Sequence, residues 1–169
     1  GKYKIPTAEG TIIVCPSCLR KNSTGRYKAI FYEEYTKFTG AFADAKVGSI
    51  NDLGDKENRV AVIYADGNNM GDVIRRIENP FQHMYFSRNL DYITKNCVYK
   101  SIHNVMGNNA KFEAIALGGD DIFIIVPADT SLEITNGIIT EFDKAFEYTM
   151  TMSAGICIAK STTPLQSMF

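Results

Sequence analysis

Leu117-Gly118-Gly119-Asp120-Asp121-Ile122-Phe123 is a short acidic turn set between two apolar runs. Ahead of it runs Phe112-Glu113-Ala114-Ile115-Ala116-Leu117; behind it runs Ile122-Phe123-Ile124-Ile125-Val126. Both have the length and composition of strands, and the second is so continuously apolar that burial on both faces is expected. Glycine adopts positive φ without a Cβ clash, so Gly-Gly between two strands predicts a β-hairpin. Two adjacent carboxylates at such a tip repel each other beside a dry core and favour a nearby cation. Aspartate is also an ordinary turn residue, because its side chain hydrogen-bonds local backbone. On the hairpin alone the two readings weigh equally.

The neighbouring segments extend the pattern. Upstream, Val60-Ala61-Val62-Ile63-Tyr64-Ala65 reads as a buried strand that ends at Asp66-Gly67-Asn68-Asn69-Met70-Gly71-Asp72. An acid at the end of a central strand, with a Gly-containing turn leading into a helix, is where such domains place ligand chemistry. Asn68 or Asn69 is expected to cap a short helix from Met70 to Glu78, whose free N–H groups would face a phosphate. A long helix follows with Phe86, Leu90, Ile93, Cys97, Ile102 and Val105 on one side, ending at Gly107. Downstream, Thr130-Ser131-Leu132-Glu133 reads as a capping box opening a helix with Ile138, Ile139, Phe142, Ala145 and Phe146 inward. Thr151 to Lys160 alternates as a strand. Its small residues Ser153, Gly155, Cys157 and Ala159 form a face that would let a helix pack closely.

The order β-α-β-β-α-β is the split βαβ plan of the ferredoxin-like fold, an α+β class. In that plan the first strand lies mid-sheet beside one half of the hairpin. Asp66 is thereby expected to approach Asp120 and Asp121, putting three carboxylates on one rim. Carboxylates without histidine or thiolate neighbours select magnesium or manganese over zinc. Two such ions can neutralise a triphosphate and activate a hydroxyl for in-line displacement. Lys160, at the end of the last strand, is the favoured cation for the phosphates; Arg75 and Arg76 read as solvated surface charges, and Asp72 as a charge at the N-terminus of the short helix rather than a ligand.

Residues 1–58 read as an arm. Residues 1–26 are expected to be irregular, with Cys15-Pro16-Ser17-Cys18 as half of a tetrahedral zinc site. Cys97 and Cys157 lie in helical and strand patterns and read as small buried hydrophobes, so the pair is either a partial zinc site or a bare dithiol. From Tyr27 to Lys46, Phe31, Tyr35, Phe38 and Phe42 recur at helical spacing, as on a packing helix. A polar connector, residues 48–58, precedes a main domain over 59–164, and 165–169 read as a truncated tail.

The 169 residues give room for one domain and an appendage. Lysine and arginine number 18 against 19 acidic residues, a net charge of −1, which is not the footprint of a chain that grips nucleic acid by itself. No apolar run is long enough to span a membrane, and four cysteines without a disulfide pattern suggest a reducing, cytoplasmic setting.

Asp66-Gly67-Asn68-Asn69-Met70-Gly71, then Phe86-Ser87-Arg88-Asn89-Leu90, Leu117-Gly118-Gly119-Asp120-Asp121 and Ser153-Ala154-Gly155-Ile156 together strongly resemble the second palm domain of the CRISPR polymerase family. That family is the large subunit of type III CRISPR effector complexes, related in fold to GGDEF diguanylate cyclase palms. The resemblance covers roughly residues 59–164, and the Cys15–Cys18 knuckle looks like a remnant of the zinc-binding element that precedes this palm. It implies a nucleotidyltransferase that joins ATP into cyclic oligoadenylates for antiviral defence. It implies Asp66 and Asp120 as main metal ligands with Asp121 assisting. Gly118 and Gly119 would leave room for the triphosphate and 3′-hydroxyl, and Asn68 or Ser87 would contact the nucleotide, with Gly67 and Asn69 beside them. Its members carry two facing palms, so a second palm or a second copy of this chain is an expected partner. Effector subunits and RNA would come through other regions. With only His83 and His103, the chain carries no histidine–aspartate nuclease, and it reads as a fragment or excised domain. Two further readings stand beside catalysis: a nucleotide-binding sensor without turnover, and a structural subunit of a ribonucleoprotein.

Overall fold

The computed structural model describes residues 3–7, 10–25, 29–43 and 47–168. Strands β1 (Tyr3–Thr7) and β2 (Gly10–Val14) form an antiparallel hairpin, followed by helices α1 (Pro16–Gly25) and α2 (Ala29–Thr39). Then come β3 (Arg59–Gly67), α3 (Met70–Arg75), α4 (Pro80–Met106), β4 (Glu113–Gly118), β5 (Asp121–Pro127), α5 (Ser131–Ala145) and β6 (Met152–Lys160). The larger sheet is antiparallel in the order β4-β5-β3-β6. This is the ferredoxin-like palm arrangement expected from the hairpin outward, with β3 mid-sheet beside β5.

Alternation along the central strands divides the sheet into two unlike faces. Ala61, Ile63 and Ala65 of β3 and Ile122, Ile124 and Val126 of β5 point to one side, where Leu90, Cys97, Val98 and Ile102 of α4 and Ile134, Ile138 and Phe142 of α5 complete the core. Val60 and Val62 point to the other side and join Val47, Leu53, Ile125 and Met168 in a second, smaller cluster. Short helical turns at Ile50–Leu53 and Leu165–Ser167 supply its outer wall. That cover stops short of Tyr64, which is 49% exposed and leaves the far end of this face open.

Several local expectations fail for identifiable reasons. Residues 3–7 and 10–14 pair as strands, with Ile5 opposite Ile12, and Cys18 lies inside α1, so the described part of 1–26 is not irregular. The aromatic helix ends at Thr39 because Gly40 takes a φ of +72°, and Phe42 beyond it is exposed rather than inward. Tyr27 and Lys46, the ends of the expected helix, lie outside the described residues. The remaining aromatics do pack: Tyr35 is fully buried, its ring centroid 6.0 Å from Tyr99 and 5.4 Å from Phe112. Helix α3 stops at Arg75 rather than Glu78. No capping box forms at Thr130, whose backbone is already helical; its Oγ1 donates to the Pro127 carbonyl and Ser131 Oγ to that of Ala128. Ala145 is exposed, and Ile134 takes the inward place. Among the described residues no α-helix covers the small-residue face of β6; its Cys157 and Ala159 pack against the second cluster instead.

Helices α4 and α5 cross closely at Gly137, where an added Cβ would meet Ser101 Oγ at 2.9 Å and Ser101 Cβ at 3.2 Å. Alanine is the better helix former by about 1 kcal/mol, but overpacking a rigid crossing costs about 1–3 kcal/mol. Gly137→Ala is therefore expected to lower stability by about 1 kcal/mol in chemical denaturation. The loss should shrink in a Ser101→Ala background, where the nearer obstacle is gone. An equal loss in both backgrounds would show that Ser101 Oγ is not the obstacle.

Candidate functional site

Strand β3 delivers Tyr64 and Asp66 to the open face and ends at Gly67, which is buried. On β5, Asp121 and Phe123 share that face; Tyr64 pairs with Phe123 on one side and Gly155 on the other. The β4–β5 connection is two residues long, Gly118 being paired with Asp121, and Gly119 takes a φ of +62° that a Cβ would resist. Asp120 is thereby folded back against the end of β3. A Cβ on Gly67 would come within 2.9 Å of Asp120 Cβ and 3.3 Å of its Oδ2. Asp66 and Asp120, 54 positions apart in the chain, thus share one rim.

The electrostatics carry the same message. Burial pushes the Asp120 carboxyl above its ordinary pKa, and the neighbouring charges of Asp66 and Asp121 push it the same way, against its own backbone hydrogen bond. Tyr64 OH stands 3.4 Å from Asp121 Oδ1, and the Asp121 charge, then burial and Asp66, raise the phenol's pKa. All donors at this rim are oxygens, which suits a hard divalent cation. The arrangement is nonetheless not a finished cage. Among the described residues no three His, Cys, Asp or Glu side chains are gathered closely enough to hold a metal ion.

The remaining predicted residues separate into near and far. Asn68 sits at the rim, but its side chain is committed to the start of β6: Nδ2 donates to Thr151 Oγ1 at 2.9 Å, and Ser153 Oγ donates to Oδ1 at 2.8 Å. It caps no helix. Asn69 is left-handed, with a φ of +59°, and makes no side-chain cap to α3, which is six residues long. Ser87 is exposed on α4, one turn before Asp91, whose Oδ1 accepts the Gly119 N–H at 3.2 Å. Lys160 does not join the rim. It pairs with Arg59 at the opposite end of β3, seven residues or roughly 23 Å from Asp66. Arg75 forms a surface ion pair with Asp72 at 2.8 Å, and Arg76 is exposed.

Cys15 and Cys18 are exposed, and the Cys18 N–H donates to Cys15 Sγ at 3.4 Å. Hydrogen bonds from Cys18 lower the Cys15 thiol pKa, while Cys97 is pushed up to about 12 by burial. The pair has no further ligand among the described residues.

Three residues at or behind the rim were not among the site residues expected from the sequence. Tyr64 was hidden inside an apolar strand, although its even spacing from Asp66 places both on one face. Ser153 is opposite Asp66 in the β3–β6 register. Asp91 had no local signal beyond a lysine four positions on. The open face beside the rim holds a shallow, mainly apolar groove of about 400 Å³ lined by Val62, Tyr64, Gly155, Ile156, Cys157 and Met168.

Residues 59–169 match the family model described as Cas10/Cmr2, second palm domain. No curated protein matches the chain. Among solved structures, Csm1 from T. onnurineus shares 22% identity over 75% of this chain and 21% of its own, with a TM-score of 0.64. A Csm1–Csm4 cassette in complex with one ATP shares 21% over 70% of this chain and 19% of its own, at 0.61. The cassette in complex with cA4 shares 18% over 99% of this chain and 21% of its own, at 0.58. At these identities the likeness is one of fold, and the chain spans about a fifth of those proteins' length.

Proposed function

The chain belongs to the Cas10/Cmr2 second palm domain family, and on that premise we propose that it holds ATP with divalent cations at the acidic rim. In a parent protein that offers a second palm surface, it joins ATP into cyclic oligoadenylates. The reaction joins the 3′-oxygen of one nucleotide to the α-phosphorus of the next, expels pyrophosphate and releases the hydroxyl proton. Asp66, Asp120 and Asp121 are the residues that would hold magnesium or manganese. Bound there, the ions would supply the charge that neutralises a triphosphate and acidifies a 3′-hydroxyl.

The chain's own residues do the rest by placement. The two-residue turn keeps side chains at 118 and 119 out of the path of the phosphates. Asn68, tied to Thr151 and Ser153, fixes the end of β3 against β6 and so fixes Asp66. Tyr64 and the groove beside it offer an apolar floor next to the charged rim, a combination that suits a nucleoside triphosphate. The observation that carries this reading is the closure of the Asp120 turn onto Gly67, which puts Asp66 and Asp120 in each other's field.

A second reading, binding without turnover, is favoured for the chain alone, because a single palm has no surface to hold the attacking nucleotide. The relatives named above as Csm1–Csm4 cassettes support a Csm4-like subunit as a partner of the parent protein. Calorimetry of the chain with ATP and manganese is expected to show saturable binding that Asp66→Asn weakens by about tenfold or more. The assembled parent complex, given ATP and magnesium, is expected to yield oligoadenylates. Absence of both binding and product would overturn the reading; binding without product from the activated complex would leave the sensor.

A further inference from the structure

The Gly118–Asp121 turn is held from behind by a chain of charges that the proposed chemistry does not use. Asp91 of α4 accepts the Gly119 N–H on Oδ1 at 3.2 Å and meets Lys95 Nζ with Oδ2 at 3.2 Å. Lys95 also donates to Glu34 Oε1 of α2 at 2.9 Å, and the buried Tyr99 hydroxyl donates to Glu34 Oε2 at 2.9 Å. Turn, long helix and N-terminal helix are thus joined in one series of hydrogen bonds.

An isolated Asp–Lys pair one helical turn apart is ordinarily a solvated contact of little consequence. This one differs in two ways. The Lys95 side chain is only 18% exposed, against 41% for Asp91, and its second partner, Glu34, is 21% exposed. Burial works against the Lys95 charge, yet the Glu34 and Asp91 carboxylates outweigh it and leave its pKa raised. The near end of the series also ends on the backbone of the turn itself. A Cβ on Gly118 would stand 3.1 Å from Asp91 Oδ1, so the turn is packed against this carboxylate as well as hydrogen-bonded to it.

We propose that Asp91 is a positioning residue for the acidic turn, and that Lys95 and Glu34 couple the placement of α2 to the placement of Asp120. The role as a positioner for catalysis rests on the ATP-joining function proposed above; the hydrogen-bonded coupling does not. Asp91 meets the turn through the Gly119 N–H. It sets where Gly119 lies, and Gly119 sets where Asp120 lies. Because Asp120 must stand at a fixed distance from Asp66, a small swing of the turn costs turnover rather than nucleotide binding.

The test uses two readouts. In the ¹⁵N-labelled chain, Asp91→Ala is expected to speed hydrogen exchange of the Gly119 amide at least tenfold. Asp91→Asn, which keeps an acceptor oxygen, should restore most of the protection. Glu34→Ala, which frees Lys95, should produce a smaller acceleration at the same amide. In the assembled parent protein, Asp91→Ala is expected to lower kcat for ATP about tenfold with KM within twofold, Asp91→Asn recovering most of it. Unchanged Gly119 exchange in Asp91→Ala would overturn the proposal, and so would a loss seen in KM alone. If the wild-type complex neither binds nor joins ATP, the functional reading falls, and Gly119 exchange decides the coupling by itself.

Discussion

Asp120→Asn is expected to reduce oligoadenylate synthesis by the parent protein at least about 100-fold, the order of effect attached to removing a preorganised charge-stabilising group. The change is nearly isosteric and keeps an oxygen at the rim, so a loss of this size reports charge rather than shape. Its effect on stability should have the opposite sign. Burial, then the charges of Asp66 and Asp121, hold the folded Asp120 carboxyl above its ordinary pKa of 3.8. A carboxyl raised on folding binds its proton more tightly in the native state, so its contribution to stability falls as pH climbs from that ordinary value through the raised one. Asparagine removes that loss. In metal-free buffer at neutral pH the variant should therefore melt at or above the wild-type temperature, and magnesium should raise the melting point of the wild type but not of the variant. Retained synthesis within a few-fold of wild type would remove Asp120 from the site.

What could be read in the sequence follows from what each signal depends on. The sheet was legible because Val60–Ala65 and Ile122–Val126 are apolar without interruption, and only a central strand buries that much surface. Once the β-α-β-β-α-β order was in hand, the approach of Asp66 to the hairpin turn followed from topology. The same topology contained the answer for Lys160. Strand β6 runs antiparallel to β3, so its last residue must lie beside the first residue of β3, Arg59, and away from Asp66. The β1–β2 hairpin left a weaker trace: each strand has five residues, and Pro6 within the first argues against a strand by removing a donor. Thr130 shows a motif defeated by its approach, since the preceding turn has already taken the helical backbone that a capping residue must avoid. Asp91 depends on how far α4 lies from a turn 28 residues later, a distance that no local pattern encodes.

Gly67→Ala is expected to be the most damaging change of a residue that performs no chemistry. Gly67 is buried at the end of β3 opposite Met152, and its backbone is one that alanine can adopt, so any effect must come from the added methyl group. That methyl would meet Met70 Cε at 2.6 Å and Asp120 Cβ at 2.9 Å. Met70 can yield, because its terminal methyl has three torsions to move through. Asp120 Cβ cannot yield without carrying the turn outward, and the turn is held from the other side by Asp91. The strain is therefore shared between a stretched Gly119–Asp91 hydrogen bond and a wider gap between Asp66 and Asp120. Overpacking of this kind costs about 1–3 kcal/mol of stability. A misplacement of about 1 Å between reacting groups costs about 100-fold in rate. Turnover should consequently fall far more than the melting temperature, with ATP affinity reduced less than turnover. Near-normal turnover from Gly67→Ala would mean that the turn has slack, and that contact with β3 does not set the spacing of the two carboxylates.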